Sequence, residues 1–329
     1  MDPANTDTPQ TPASEQSPVP PTGPLLQWKK IFLSEHDLRA GWRIILYIFL
    51  VVLSAFAFTF LFRTFYHGPR TGAPSASVLF LQESASFAIA FLPAWFMAWL
   101  ERRPVGDYGL PLRSAFGGHF WKGCALGIAE IGVLMGLIAA FHGYSFGPLN
   151  LNGAAIYRWA IFWLFFFILV GLFEEFFFRG YLQFTLADGI GFWPAAWILS
   201  LTFGGLHRLN GGESWVGAVG VATIALIFAF TLRRTGNLWF VVGWHAAFDF
   251  GETFLFSVPN SGQVFQGHLS NASLHGPAWL TGGTVGPEGS VFSFITMAAA
   301  ALFIHKAFPD RKSANAPLAT PVRSRISPQ

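Results

Sequence analysis

Eight runs of apolar residues, most of them long enough to cross a bilayer as a helix, constrain this chain more than any other feature. They lie near 42–62, 78–100, 121–141, 157–187, 193–208, 214–232, 237–257 and 290–306. A helix needs about 17–25 predominantly apolar residues to span the hydrocarbon core. A soluble helical protein would interrupt such runs with a polar stripe on each exposed face. Charged residues make up 11% of the 329 and apolar ones 53%, whereas a soluble globular chain carries roughly 25% charged residues. The expectation is an all-α, polytopic membrane bundle of about eight transmembrane helices. The fourth run is too long for one upright crossing and is expected to tilt or project from the membrane.

The flanks complete the plan. Residues 1–30 are expected to be a disordered cytoplasmic tail, because their first 24 residues are Pro/Thr/Ser-rich and contain no Lys or Arg. That stretch lacks the basic and apolar regions of a cleaved signal, so the first apolar run is read as an uncleaved signal anchor. Residues 309–329 are read as a disordered basic cytoplasmic tail, leaving 31–308 as the membrane domain with its core motifs at 170–255. With the N-terminus inside, fifteen Lys and Arg fall on inner segments and four on outer ones, the bias that orients membrane proteins. Both termini are therefore expected in the cytoplasm, with the plasma (inner) membrane as the location. The 258–289 connection is expected to be a long external loop with almost no charge. One cysteine, Cys124, excludes an intrachain disulfide. The basic residues flank apolar runs instead of forming one patch, which excludes nucleic acid as the partner class.

A charge at the bilayer centre costs on the order of 2.5–3.5 kcal/mol even on lenient scales, so ionisable residues inside spans carry the functional information. The fourth span contains Glu174-Glu175-Phe-Phe-Phe-Arg179, the fifth Phe203-Gly-Gly-Leu-His207, and the seventh His245-Ala-Ala-Phe-Asp249 followed by Glu252. Counting from the turn near Asp188–Gly191 at about 1.5 Å per residue, Glu174 and His207 both sit roughly 20 Å deep. His245 and Asp249 come to roughly 12–18 Å from the same side. His245, Asp249 and Glu252 share one helical stripe at i, i+4 and i+7. Glu175 and Arg179 form an i, i+4 pair in the favourable order, which leaves Glu174, about 100° round the helix, as the free carboxylate. Glu83 and Glu130 have no assigned partner and are read as helix-packing hydrogen bonds.

These three elements resemble the CPBP family of intramembrane peptidases, which includes the type II CAAX prenyl endopeptidases and the bacterial Abi proteins. That family is marked by E-E-x-x-x-R, F-x-x-x-H and H-x-x-x-N/D in this order on separate helices. The segment Arg103-Pro-Val-Gly-Asp107-Tyr-Gly-Leu110 is similar to a loop that precedes the core in bacterial members. The resemblance implies an endopeptidase acting on a membrane-anchored protein or peptide in the lipid bilayer. Glu174 would be the base that activates water, assisted by His207. His245 and Asp249 would bind the developing oxyanion or a metal, with Glu175, Arg179 and Glu252 in support.

Two His and a carboxylate also make a legitimate catalytic zinc set, so His207, His245 and Asp249 are the candidate ligands of one divalent metal. The metal-dependent and glutamate-based versions both stay open at this point. Two other classes share the same features: a secondary transporter with midplane carboxylates, and a catalytically silent membrane scaffold or immunity protein.

Overall fold

The computed structural model describes residues 38–68 and 74–309. The tail expected at 1–30 and the tail beyond Pro309 lie outside the described residues. Eight principal helices succeed one another among those described. They are α1 (Ala40–Phe65), α2 (Ala76–Leu100), α3 (Gly118–Ala140), α4 (Ala154–Ile190), α5 (Phe192–His207), α6 (Trp215–Thr235), α7 (Leu238–Phe250, continued by the π-helical turn Gly251–Leu255) and α8 (Val291–Ala307). The first four and α6 are long and apolar enough to cross a membrane by length and composition; α5, α7 and α8 are shorter. The chain is a helical membrane bundle.

The helix starts are written locally. Ser75, Ser214, Asn237 and Ser290 each stand just before a helix, and their side-chain oxygens accept from the free backbone N–H groups of the first turn. The faces are sorted for a lipid solvent. On α1 the exposed residues include Ile45, Phe49, Leu53, Phe56 and Phe60, while the buried ones are Arg43 and Tyr47. Apolar groups point outward because the hydrocarbon solvates them, and the polar side chains turn inward to find partners.

Arg43 shows what those partners are. Its Nε and Nη2 donate to the two oxygens of Glu101 at 3.0 and 2.6 Å, and its Nη1 donates to Asp188 at 3.2 Å. The hydroxyls of Tyr108 and Tyr181 donate to the same Glu101 carboxylate at 2.6 and 2.7 Å. One carboxylate thereby joins α1, the end of α2, the 103–110 segment and α4.

The helix that carries the third motif is held by close backbone contact. A Cβ on Gly123 or Gly127 of α3 would overlap the Phe240 or Trp244 carbonyl of α7, and one on Gly243 would overlap the Phe120 carbonyl. Small residues at such positions let two helices approach to backbone contact, which is how membrane helices gain packing energy. Between the same two helices, Trp244 Nε1 donates to Glu130 at 2.6 Å, with both side chains buried.

The 258–289 connection is more ordered than its composition suggests. Ser273–Leu274 pairs antiparallel with Tyr144–Ser145, and one helical turn (Ala278–Thr281) and a 3-10 turn (Pro287–Gly289) come after it. The Leu269 and Gly143 carbonyls accept from Asn150 and His275 respectively, which pins the segment across the ends of the helices.

Candidate active site

The site begins with a break in α4. Residues Ala154–Glu175 are α-helical, Phe176–Leu182 form a π-helical stretch with a non-helical Gly180, and Gln183–Ile190 resume the α-helix. The over-long fourth run is thus one helix with a bend at Gly180. The extra residue of a π segment rotates the remainder of the helix about its axis, and here it begins directly after Glu174 and Glu175. The π turn that ends α7 holds Glu252 in the same way.

Glu175 is fully buried, and its Oε1 is shared. Arg179 Nη1 reaches it at 3.4 Å and His245 Nδ1 at 2.9 Å. Sequence spacing assigned Glu175 to Arg179; the structure adds the histidine from α7. The Arg179 guanidinium also lies over the Phe203 ring, 4.5 Å from its centroid. That cation–π contact gives a desolvated cation a second favourable face. Because His245 Nδ1 is held by Glu175, Nε2 is the atom left to act. It stands 3.7 Å from Glu174 Oε2 and 3.4 Å from Asp249 Oδ2. His207 has its Nδ1 at 3.0 Å from the Phe203 carbonyl. A backbone carbonyl only accepts, so Nδ1 carries the proton and Nε2 offers a lone pair.

Glu174, His207, His245 and Asp249 all line one cavity of about 330 Å³. Apolar walls come from Phe166, Phe167, Phe203 and Phe228, and among the described residues no Lys or Arg lines it. Glu175, Arg179 and Glu252 lie behind the wall. Three further acids line the cavity that sequence reasoning gave to packing or passed over: Glu83, Glu130 and Glu288. For Glu83 and Glu130 the signal was present, since each is an acid inside an apolar run. Glu288 had a subtler one, as the sole acid of a connection otherwise free of charge.

The structure does not assemble His207, His245 and Asp249 as a metal-binding trio. Among the described residues, the group of three ligand-type side chains whose donor atoms lie within 4.8 Å of one another is Asp249, Glu252 and Glu288. His207 is the last residue of α5, with its Nδ1 turned back to the Phe203 carbonyl and Nε2 left free.

Residues 156–251 match the family described as type II CAAX prenyl endopeptidase Rce1-like. The chain carries an Rce1-like domain of the CPBP family. In general terms this is an intramembrane CAAX-type endopeptidase domain in a multi-pass membrane protein. The Rce1-like domain spans all three motifs, from Glu174 to Asp249, and under a third of the chain. Glu83, Glu130, Glu252 and Glu288 fall outside it. No curated protein and no solved structure matches the chain.

Proposed function

We propose that the protein hydrolyses a peptide bond of a membrane-associated protein or peptide, with Glu174 as the general base. The observation that carries this reading is the placement of His245: Nδ1 is fixed by a fully buried carboxylate, while Nε2 faces Glu174 and Asp249 in one apolar-walled cavity. Amide hydrolysis needs a base within reach of water and a donor where the carbonyl oxygen becomes negative.

Glu174 takes a proton from a water as its oxygen attacks the carbonyl carbon. His207 Nε2 accepts a hydrogen bond from the same water and aims it. The carbonyl oxygen becomes an oxyanion, which accepts from His245 Nε2–H. That donation requires a proton on each ring nitrogen, with the Glu175 carboxylate beside Nδ1 and the Asp249 carboxylate beside Nε2. Glu174 then delivers its proton to the amide nitrogen, the C–N bond breaks, and acid and amine products leave. Arg179 offsets the charge of Glu175.

The substrate enters from the bilayer or from the side bearing the Asp188–Gly191 turn. The fifteen-to-four distribution of basic residues supports placing that side and both termini in the cytoplasm, at the inner membrane. The test uses the purified full chain in nanodiscs, with a farnesylated CAAX peptide and an unprenylated membrane-anchored peptide as reporters. Wild type should cleave at least one, and the Glu174→Gln protein should be slower by about 10²–10⁴ while melting at the same temperature. Undiminished cleavage by a well-folded Glu174→Gln protein would remove the assignment.

A further inference from the structure

A second cluster of acids sits against the catalytic residues, and peptide hydrolysis uses only one of its members. Asp249 and Glu252 come from α7 and its π turn, and Glu288 comes from the 3-10 turn before α8. One carboxylate oxygen from each lies within 4.8 Å of the other two. Acids gather for many reasons, so the state of Glu252 is what matters. It is 0% exposed, and neither of its oxygens receives a hydrogen bond from the described residues. A buried carboxylate without donors is among the costliest groups a fold can hold. Among the described residues, no Lys or Arg lines the adjoining cavity to offset it.

The cluster is also held in place. Ser261 donates to Glu288 Oε2 twice, from its backbone N–H at 2.8 Å and from its hydroxyl at 3.0 Å, which leaves Oε1 available. Gly286 brings the chain directly over Glu252. A Cβ there would stand 3.4 Å from Glu252 Oε1 and would overlap the Pro259 carbonyl, so a side chain at this position would push the turn away. Asp249 and Glu288 face the cavity and Glu252 lies behind them. Such a pocket opens on two ligands and is closed by the third.

We propose that Asp249, Glu252 and Glu288 bind a calcium-class divalent cation. All three ligands are hard oxygen donors, the set that suits Ca²⁺ or Mg²⁺ and not zinc or copper. Donors on opposite sides of an ion are separated by at most twice the metal–oxygen distance. That limit is about 4.6–5.2 Å for Ca²⁺ and about 4.0–4.2 Å for Mg²⁺. The three donor atoms lie within 4.8 Å of one another, inside the Ca²⁺ limit; Mg²⁺ usually keeps several waters and takes one or two carboxylates, so a set of three protein carboxylates suits it less well. The cation would tie the 258–289 connection to α7. It would also account for an Asp at position 249, because an amide is a poorer ligand than a carboxylate.

The experiment is calcium binding by the full chain in detergent after chelation, read by equilibrium dialysis with radioactive calcium and by melting temperature. One Ca²⁺ should bind per chain. The melting temperature should rise by on the order of 5 °C at about a hundredfold above Kd, with Mg²⁺ competing weakly. Glu252→Gln and Glu288→Gln should each abolish the rise, and two separate variants guard against one failing to fold. The Glu174→Gln protein should bind calcium as wild type does, so this proposal and the peptidase reading fail separately. Absence of saturable calcium binding, or binding unchanged in both Gln variants, would overturn it.

Discussion

Removing one charge from the Glu175–Arg179–His245 group tests stability and the proposed chemistry together, because Glu175 contacts both Arg179 and His245. In Glu175→Gln, Arg179 stays charged at 2% side-chain exposure and loses the carboxylate 3.4 Å away. His245 loses the acceptor at 2.9 Å that fixes Nδ1. Stranding one member of a buried ion pair costs about 3–5 kcal/mol. Interhelical polar contacts in membrane bundles average only about 0.6 kcal/mol, because the reference state finds other partners. The larger figure should govern here, since the guanidinium is walled by Phe178, Phe203 and Phe228. The melting temperature in a fixed detergent should fall by roughly 6–20 °C.

The double variant Glu175→Gln/Arg179→Met removes the stranded charge and lets an apolar side chain pack on the Phe203 ring. It should recover most of that loss, as apolar replacement of buried pairs commonly does. Activity should not return with stability, because the imidazole is still without its orienting carboxylate. We expect reporter cleavage to remain down by about a hundredfold or more. Tryptophan fluorescence melts and cleavage rates on the same preparations give both numbers. A single variant within about 1 kcal/mol of wild type would show that Arg179 has another counter-charge. Recovered activity in the double variant would show that Glu175 does not orient His245.

Other parts of the molecule give three further expected outcomes. Gly127→Ala should destabilise by about 2 kcal/mol or more: the helix-propensity gain of about 1 kcal/mol is outweighed by overlap with the unyielding Trp244 carbonyl. Gly132→Ala on the same helix, with nothing near its Cβ, should be neutral or stabilising, and equal melts for the two would refute the packing argument. Burial holds the Glu213 carboxyl above its ordinary 4.5, so the fold favours its neutral form and loses stability as pH rises from about 4.5 through the folded-state value. Glu213→Gln should flatten that part of the melting-temperature profile, and an unchanged profile would discount the residue. Cysteines placed at 260–285 should label from outside intact cells while tags at either terminus stay protected; a labelled terminus would reverse the orientation.

The sequence determined the solvent and most of the elements. Apolar runs of bilayer length admit only helices, since every backbone polar group in hydrocarbon must be satisfied within its own segment. The eight expected runs correspond closely to α1–α8 for that reason. Sequence also singled out Glu174, His207, His245 and Asp249, because a polar residue inside such a run has to be explained. Depth along a helix is readable by counting, whereas rotation about the axis and proximity to other helices are not. Only the tertiary structure gave Glu175 to both Arg179 and His245, bent α4 at Gly180, and kept His207 out of a trio with His245 and Asp249. It alone brought Glu288 back from the 258–289 connection to Asp249 and Glu252. Residue spacing within one helix fixes which side chains share a face. Which faces meet is decided by packing between segments far apart in the chain, as at Gly123, Gly127 and Gly243, where the absence of side chains lets α3 and α7 touch.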